Sequence, residues 1–192
     1  MNVCVVTGGG SGIGKAVVEA FGKDVVTVIT GRSEAKLKKV QDELNSNGYH
    51  VEIKTCDVSK RQDVNSLAKF AAGFGKVTKV VNSAGVSGTM ADRETIIRIN
   101  CLGTVYINQE FYKIMDGGCI VDVSSQGGYM LPKMLLPSSK TYLLVIEDEK
   151  KSEFELSNSD LSIARVGIEP TRDCSRQILS LLRLPIPPSR RS

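Results

Sequence analysis

The chain has 192 residues, 41% hydrophobic and 24% charged, which allows one sizeable core and is too little for two comfortable domains. Its formal net charge of +4 is carried by its last stretch: residues 165–192 hold six arginines, no lysine and two acids, and the rest is neutral. Such a balance lacks the clustered basic face of a nucleic-acid reader, and no apolar run reaches the roughly 18 residues that span a bilayer.

The opening residues run into an apolar strand at Val3–Val6 without a charged lead, which predicts no secretory leader. After a glycine cluster, Ile13, Ala16, Val17, Ala20 and Phe21 recur at helical spacing. Val25–Ile29 is β-branched and reads as a second strand. Ser33 is placed to cap a helix whose apolar stripe is Leu37, Val40 and Leu44, and Asn47-Gly48 ends it. Tyr49–Thr55 reads as the third strand, and Val64, Leu67, Ala68 and Ala71 mark the third helix. Val77–Val81 is the fourth strand, a long helix is predicted over Arg93–Ile114, and Cys119–Val123 is the fifth strand.

Near-continuous apolar strands alternating with amphipathic helices predict an α/β fold, three layers deep, built on a doubly wound parallel sheet. Its ligand crevice is expected at the carboxyl ends of the strands. The pattern stops near Leu144. Glu147–Glu155 is charged and reads as a solvated helix, and four of the six prolines fall in Pro170–Pro188. The expected division is a nucleotide-binding domain over 1–145 and a charged, Arg/Pro-rich, poorly ordered segment over 146–192. The shift from lysine to arginine usage raises an alternative exon or a departed reading frame as its origin. Five scattered cysteines (Cys4, Cys56, Cys101, Cys119 and Cys174) with no CxxC pair predict reduced thiols in a cytoplasmic protein and no metal site. His50, the single histidine, reads as structural.

The strongest chemical signal is Thr7-Gly8-Gly9-Gly10-Ser11-Gly12-Ile13-Gly14, between the first strand and the first helix. Glycines there permit a tight turn and let backbone N–H groups approach a pyrophosphate, which the helix N-terminus also favours. The spacing Thr-Gly-x-x-x-Gly-x-Gly resembles the short-chain dehydrogenase/reductase family. Four further segments in order strengthen the resemblance: Cys56-Asp57-Val58, Asn82-Ser83-Ala84-Gly85, Asn100 within Ile99–Thr104, and Val123-Ser124-Ser125. In the second of these, Ser83 replaces an asparagine of the family pattern. The resemblance covers Asn2 to about Pro132. It implies a Rossmann fold in which Asp57 and Val58 lie near the adenine. Asn82, Ala84 and Gly85 then belong to the cofactor site, Asn100 supports a proton relay, and Ser125 holds the substrate oxygen.

The second strand ends in Thr30-Gly31-Arg32 rather than in the acid that binds ribose hydroxyls in NAD-binding Rossmann strands. Arg32 offers a fork of donors for a 2′-phosphate, so NADP(H) is the expected cofactor over NAD(H). The alternative is a solvent-facing arginine at a strand end.

The family's chemistry also requires Tyr-x-x-x-Lys, with the tyrosine as proton donor or acceptor beside the substrate oxygen. Lys140 in Pro137–Lys140 resembles the end of that motif, but Leu136 stands where the tyrosine belongs. Tyr129 and Lys133 have the right spacing, yet Pro132 between them opposes the helix that must present both. A second explanation is an insertion over Leu135–Leu156, with the true motif and the last strands missing from this chain. The expectation is therefore an NADP(H)-dependent oxidoreductase acting on a small carbonyl or alcohol. Its rivals are a truncated, non-catalytic nucleotide-binding isoform and a nonfunctional fragment. The resemblance implies pairing into a homo-oligomer through long helices corresponding to Arg93–Ile114, an arrangement that a truncated chain would weaken. No membrane or nucleic-acid partner is expected.

Overall fold

Buried valines alternate sides along β1 (Asn2–Thr7), and that alternation builds two cores, one on each face of a parallel sheet. The computed structural model describes residues 1–125 and the backbone pairing of two short strands at Gly167–Ile168 and Leu184–Pro185. In chain order, β1 is followed by α1 (Gly12–Phe21), β2 (Val26–Gly31), α2 (Glu34–Ser46), β3 (His50–Thr55), α3 (Arg61–Ala72) and β4 (Lys76–Asn82). Then come α4 (Arg93–Ile97), a π-helical segment (Arg98–Leu102), α5 (Gly103–Tyr112), β5 (Cys119–Asp122) and β6 (Ser124–Ser125).

The main sheet runs β3-β2-β1-β4-β5, all parallel, and Leu184–Pro185 pairs antiparallel with the outer edge of β5. Gly167–Ile168 pairs in parallel with β6. Helices α1 and α2 cover one face through Val17, Val18, Leu37, Val40 and Leu44. Helices α3 and α5 cover the other through Val64, Leu67, Tyr106, Ile107 and Phe111. The expected doubly wound parallel sheet is therefore present. The strand order reverses between β1 and β4, which opens the crevice at their carboxyl ends.

Two local features depart from simple pattern reading. In β4 the register against β1 shifts between Val3 and Cys4, leaving Thr78 as the extra residue. Val77 and Val80, three positions apart, both reach the α3/α5 core because that bulge restores the alternation. The helix expected over Arg93–Ile114 is interrupted: the Gly103 N–H bonds back to the Arg98 carbonyl, and regular α-helix resumes only from Gly103 to Tyr112. A Cβ on Gly103 would lie 2.8 Å from Val58 Cγ2, so the interrupted helix approaches the loop after β3 more closely than a side chain allows.

Helices α3 and α5 are also joined by a buried carboxylate. Glu110 is 3% exposed and accepts from Arg61 Nε at 3.1 Å, Asn65 Nδ2 at 3.0 Å and Lys113 Nζ at 2.8 Å. Burial raises its pKa, but the three donors outweigh burial and hold it below the usual carboxylate value. A lowered carboxylate pKa contributes stability that is complete above the unfolded pKa, near 4.3, and is lost as pH falls through the folded one. Urea unfolding of wild type and Glu110→Gln is thus expected to differ most at neutral pH, wild type being more stable. The gap narrows as pH falls below about 4.

Candidate functional site

The crevice between β1 and β4 is walled by Gly8, Gly31, Arg32, Asp57, Val58, Ala84 and Gly85, with Thr30, Cys56, Val86 and Ile99 completing it. Six positions singled out in the sequence, Gly8, Arg32, Asp57, Val58, Ala84 and Gly85, therefore meet in space although they come from the ends of four different strands.

The glycine loop is shaped by two physical demands. Gly8 (φ +69°) and Gly12 (φ +53°) occupy backbone conformations that L side chains rarely adopt. Gly14 answers to space instead: a Cβ there would sit 2.4 Å from the Gly8 carbonyl oxygen and 2.9 Å from Ser83 Oγ. Gly9 is the member the sequence reading passed over, and its Cβ would lie 2.6 Å from Ile29 Cβ. Gly10 differs from all of these, since a Cβ there meets only Leu37 and Lys36 at 3.6 Å, an ordinary contact. The signal for Gly9 was the unbroken run of three glycines.

Helix α1 opens without competition for an anion. Its N-cap, Ser11, makes no side-chain cap bond, and its first turn holds no acid. By contrast α2 has Ser33 and Glu34, α3 has Asp63, and α4 has Asp92 and Glu94. The first N–H groups of α1 thus remain available beside the crevice. Ser11, Gly12 and Ile13 are exposed there, Ile13 at 38%.

The floor of the crevice is a hydrogen-bonded strap. Thr7 is fully buried, and its hydroxyl donates to Asn82 Oδ1 at 2.6 Å. The Thr7 hydroxyl oxygen accepts from the N–H groups of Ser83 at 3.1 Å and Ala84 at 3.0 Å. The Ser83 hydroxyl donates to the Thr7 carbonyl. Asn82 is 4% exposed and its Nδ2 donates to Asp122 Oδ1 at 3.4 Å, so its amide serves the strand ends rather than projecting into the crevice. Asn108 Nδ2 donates to Asp122 Oδ2 at 2.9 Å. Burial pushes the Asp122 pKa up, against the pull of these two amides.

Around this floor, Asp57 Oδ1 accepts from the N–H and hydroxyl of Ser59, which fixes the turn after β3. Val58 is buried under Gly103. Asn100 grips the loop after β4 with both ends of its amide: Oδ1 accepts from Val86 N–H at 2.9 Å and Nδ2 donates to the Val86 carbonyl at 2.8 Å. Arg32 is exposed at the end of β2 and has no ion pair among the described residues. Cys56 lines the crevice, but burial pushes its thiol up to about 12, so it is no nucleophile at neutral pH. Ser125 ends β6, its backbone opposite Ile168. Lys140, Tyr129, Lys133 and the stretches 135–156 and 147–155 lie outside the described residues. Among the described residues no cluster of His, Cys, Asp and Glu is able to hold a metal ion, and no helix is long and apolar enough to cross a membrane.

The sequence model of short chain dehydrogenases matches residues 2–140. The chain belongs to the short-chain dehydrogenase family. Its relatives include a short-chain dehydrogenase/reductase of Alternaria brassicicola, 34% identical over 124 residues, which cover 64% of this chain and 45% of the fungal protein. An uncharacterised oxidoreductase of Staphylococcus aureus is 29% identical over 177 residues, covering 86% of this chain and 76% of the bacterial one. Among solved structures, an actinorhodin polyketide ketoreductase variant with NADPH superimposes with a TM-score of 0.65 at 26% identity, covering 79% of this chain and 63% of that one. A citronellol catabolism dehydrogenase of Pseudomonas aeruginosa gives 0.61 at 30% identity, covering 69% and 59%. The chain thus spans less than half of its fungal relative and under two thirds of the ketoreductase.

The loop geometry separates two glycines that look alike in sequence. Gly14→Ala forces a backbone collision and is expected to cost about 2 kcal/mol or more. Gly10→Ala is expected to stay within about 0.5 kcal/mol of wild type. Urea unfolding midpoints of the two variants check the difference.

Proposed function

We propose that this chain binds NADP(H) in the β1/β4 crevice and acts in hydride transfer between that cofactor and a small carbonyl or alcohol. The observation that carries the cofactor preference is Arg32: it stands at the end of β2 beside Gly31, on the crevice wall, with no described carboxylate to neutralise it. A strand-end acid would hold ribose hydroxyls and repel a 2′-phosphate; an unpaired guanidinium does the reverse. The NADPH of the ketoreductase neighbour supports the same class of cofactor.

In this reading, Thr7 shapes the loop. The backbone of Gly8, Gly10, Ser11, Gly12, Ile13 and Gly14 receives the pyrophosphate at the start of α1, where no acid and no cap competes. Asp57 and Val58 border the adenine, and Ala84 and Gly85 form the wall that Asn82 and Asn100 hold in place. When bound, the nicotinamide supplies or accepts the hydride. Ser125 is assigned to the substrate oxygen and Lys140 to the cofactor ribose by family resemblance. Three free thiols among the described residues, Cys4, Cys56 and Cys119, support a reducing, cytoplasmic setting.

Leu136, four residues before Lys140, favours a second reading: cofactor binding without turnover, because leucine carries no proton to deliver. Calorimetric titration separates the readings. Wild type is expected to bind NADPH more tightly than NADH, and Arg32→Ala to lose about tenfold or more in NADPH affinity with NADH unchanged. Equal affinities in wild type overturn the assignment of Arg32. NADPH oxidation with carbonyl substrates then tests turnover, and binding without it supports the second reading.

A further inference from the structure

Asp122 is an acid at the end of an otherwise apolar strand, with no cation among its hydrogen-bond partners in the described residues. Its partners explain its presence. The Thr7 hydroxyl has two lone pairs and one proton. Both lone pairs are taken by the N–H groups of Ser83 and Ala84, so its proton must go to Asn82, and it does. Asn82 must therefore turn its oxygen toward Thr7, which leaves its Nδ2 pointing at β5. A donor in that place, at a residue 4% exposed, needs an acceptor. Asp122 Oδ1 is that acceptor. Its other oxygen takes Asn108 Nδ2, which ties the same point to α5.

We infer that Asp122 is a positioning residue for the cofactor crevice: as the terminal acceptor, it sets the direction of the hydrogen-bond chain Asp122–Asn82–Thr7 that holds the Ser83–Ala84 wall. The chain acts where the first loop and the loop after β4 meet closely, since a Cβ on Gly8 would lie 3.1 Å from the Ala84 backbone and from the Ser83 carbonyl oxygen. A turn of the Asn82 amide would point its NH2 at Thr7, whose oxygen already faces two donors, and would release one of the two wall peptides. The role requires an acceptor at position 122 and not a charge. Its value for cofactor binding rests on the NADP(H) reading above.

A double-mutant cycle on the full chain tests this, read by NADPH calorimetry and by urea midpoint. Asp122→Leu removes the acceptor at similar size, and Thr7→Val removes the hydroxyl; each is expected to weaken NADPH binding about tenfold. Thr7 and Asp122 share no hydrogen bond and communicate through Asn82. The double variant is expected within about threefold of the worse single one, where independent sites would give about a hundredfold loss. Asp122→Asn, which keeps an acceptor for Asn82, is expected within about threefold of wild type. Multiplicative losses in the cycle overturn the proposal, as does wild-type binding by Asp122→Leu. If Asp122→Leu does not fold, Asp122→Asn decides, and a loss beyond threefold overturns it. Should wild type bind neither NADPH nor NADH, the cofactor reading fails, and urea midpoints of the same cycle still decide whether the chain is coupled.

Discussion

The pairing of β1 with β4 is the constraint on which the molecule depends. Their ends are joined by the Thr7–Asn82 hydrogen bond across 75 residues of chain, in a place from which water is excluded. Everything threaded between them must cross over: α1, β2, α2 and β3 to one side, and α3 on the way back. The reversal of direction leaves a gap above the strand ends that no helix fills. Glycines line its rim because the first loop and the loop after β4 approach each other more closely than side chains permit.

Chemistry is then a matter of which charges the gap contains. The start of α1 offers unsatisfied N–H groups and no acid, and Arg32 adds a positive charge on the crevice wall that has no ion pair among the described residues. Both favour an anionic ligand, one through oriented dipoles and one through a full charge. The acids nearby are turned to structure. Asp57 closes its own turn with Ser59, and Asp122 is occupied by two amides beneath the floor. Among the described residues, these two acids beside the crevice are thus already engaged.

The other face of the sheet shows how packing serves the same crevice from a distance. Glu110 draws Arg61 and Asn65 of α3 toward α5, fixing the helix pair beneath β4. The π-helical interruption sits just before α5 and presents Asn100 to the backbone of Val86. A straight α-helix would carry Asn100 round by a different angle and lose that grip. The wall formed by Ala84, Gly85 and Val86 is thus held from below by Thr7 and from behind by Asn100.

Periodicity alone determined the order and kind of the elements through β5, because valine-rich runs and 3.6-residue stripes are local consequences of burial. The glycine loop, Ser33 as a cap and the crevice member Arg32 were equally legible, since each follows from what one short segment must do, while Asp57 and Gly85 were legible through the family resemblance of their motifs. The need for Gly9 and the freedom of Gly10 were not: they depend on how Ile29 and Leu37 approach from elsewhere in the chain. The same holds for the bulge at Thr78, the break in the long helix, and the joining of Asp122 to Asn82, Thr7 and Asn108. A lone acid in an apolar strand hinted that a partner exists, but its identity depends on which strands lie side by side. Only tertiary structure decides that, because hydrogen-bond direction and sub-van-der-Waals space are properties of residues brought together from distant positions.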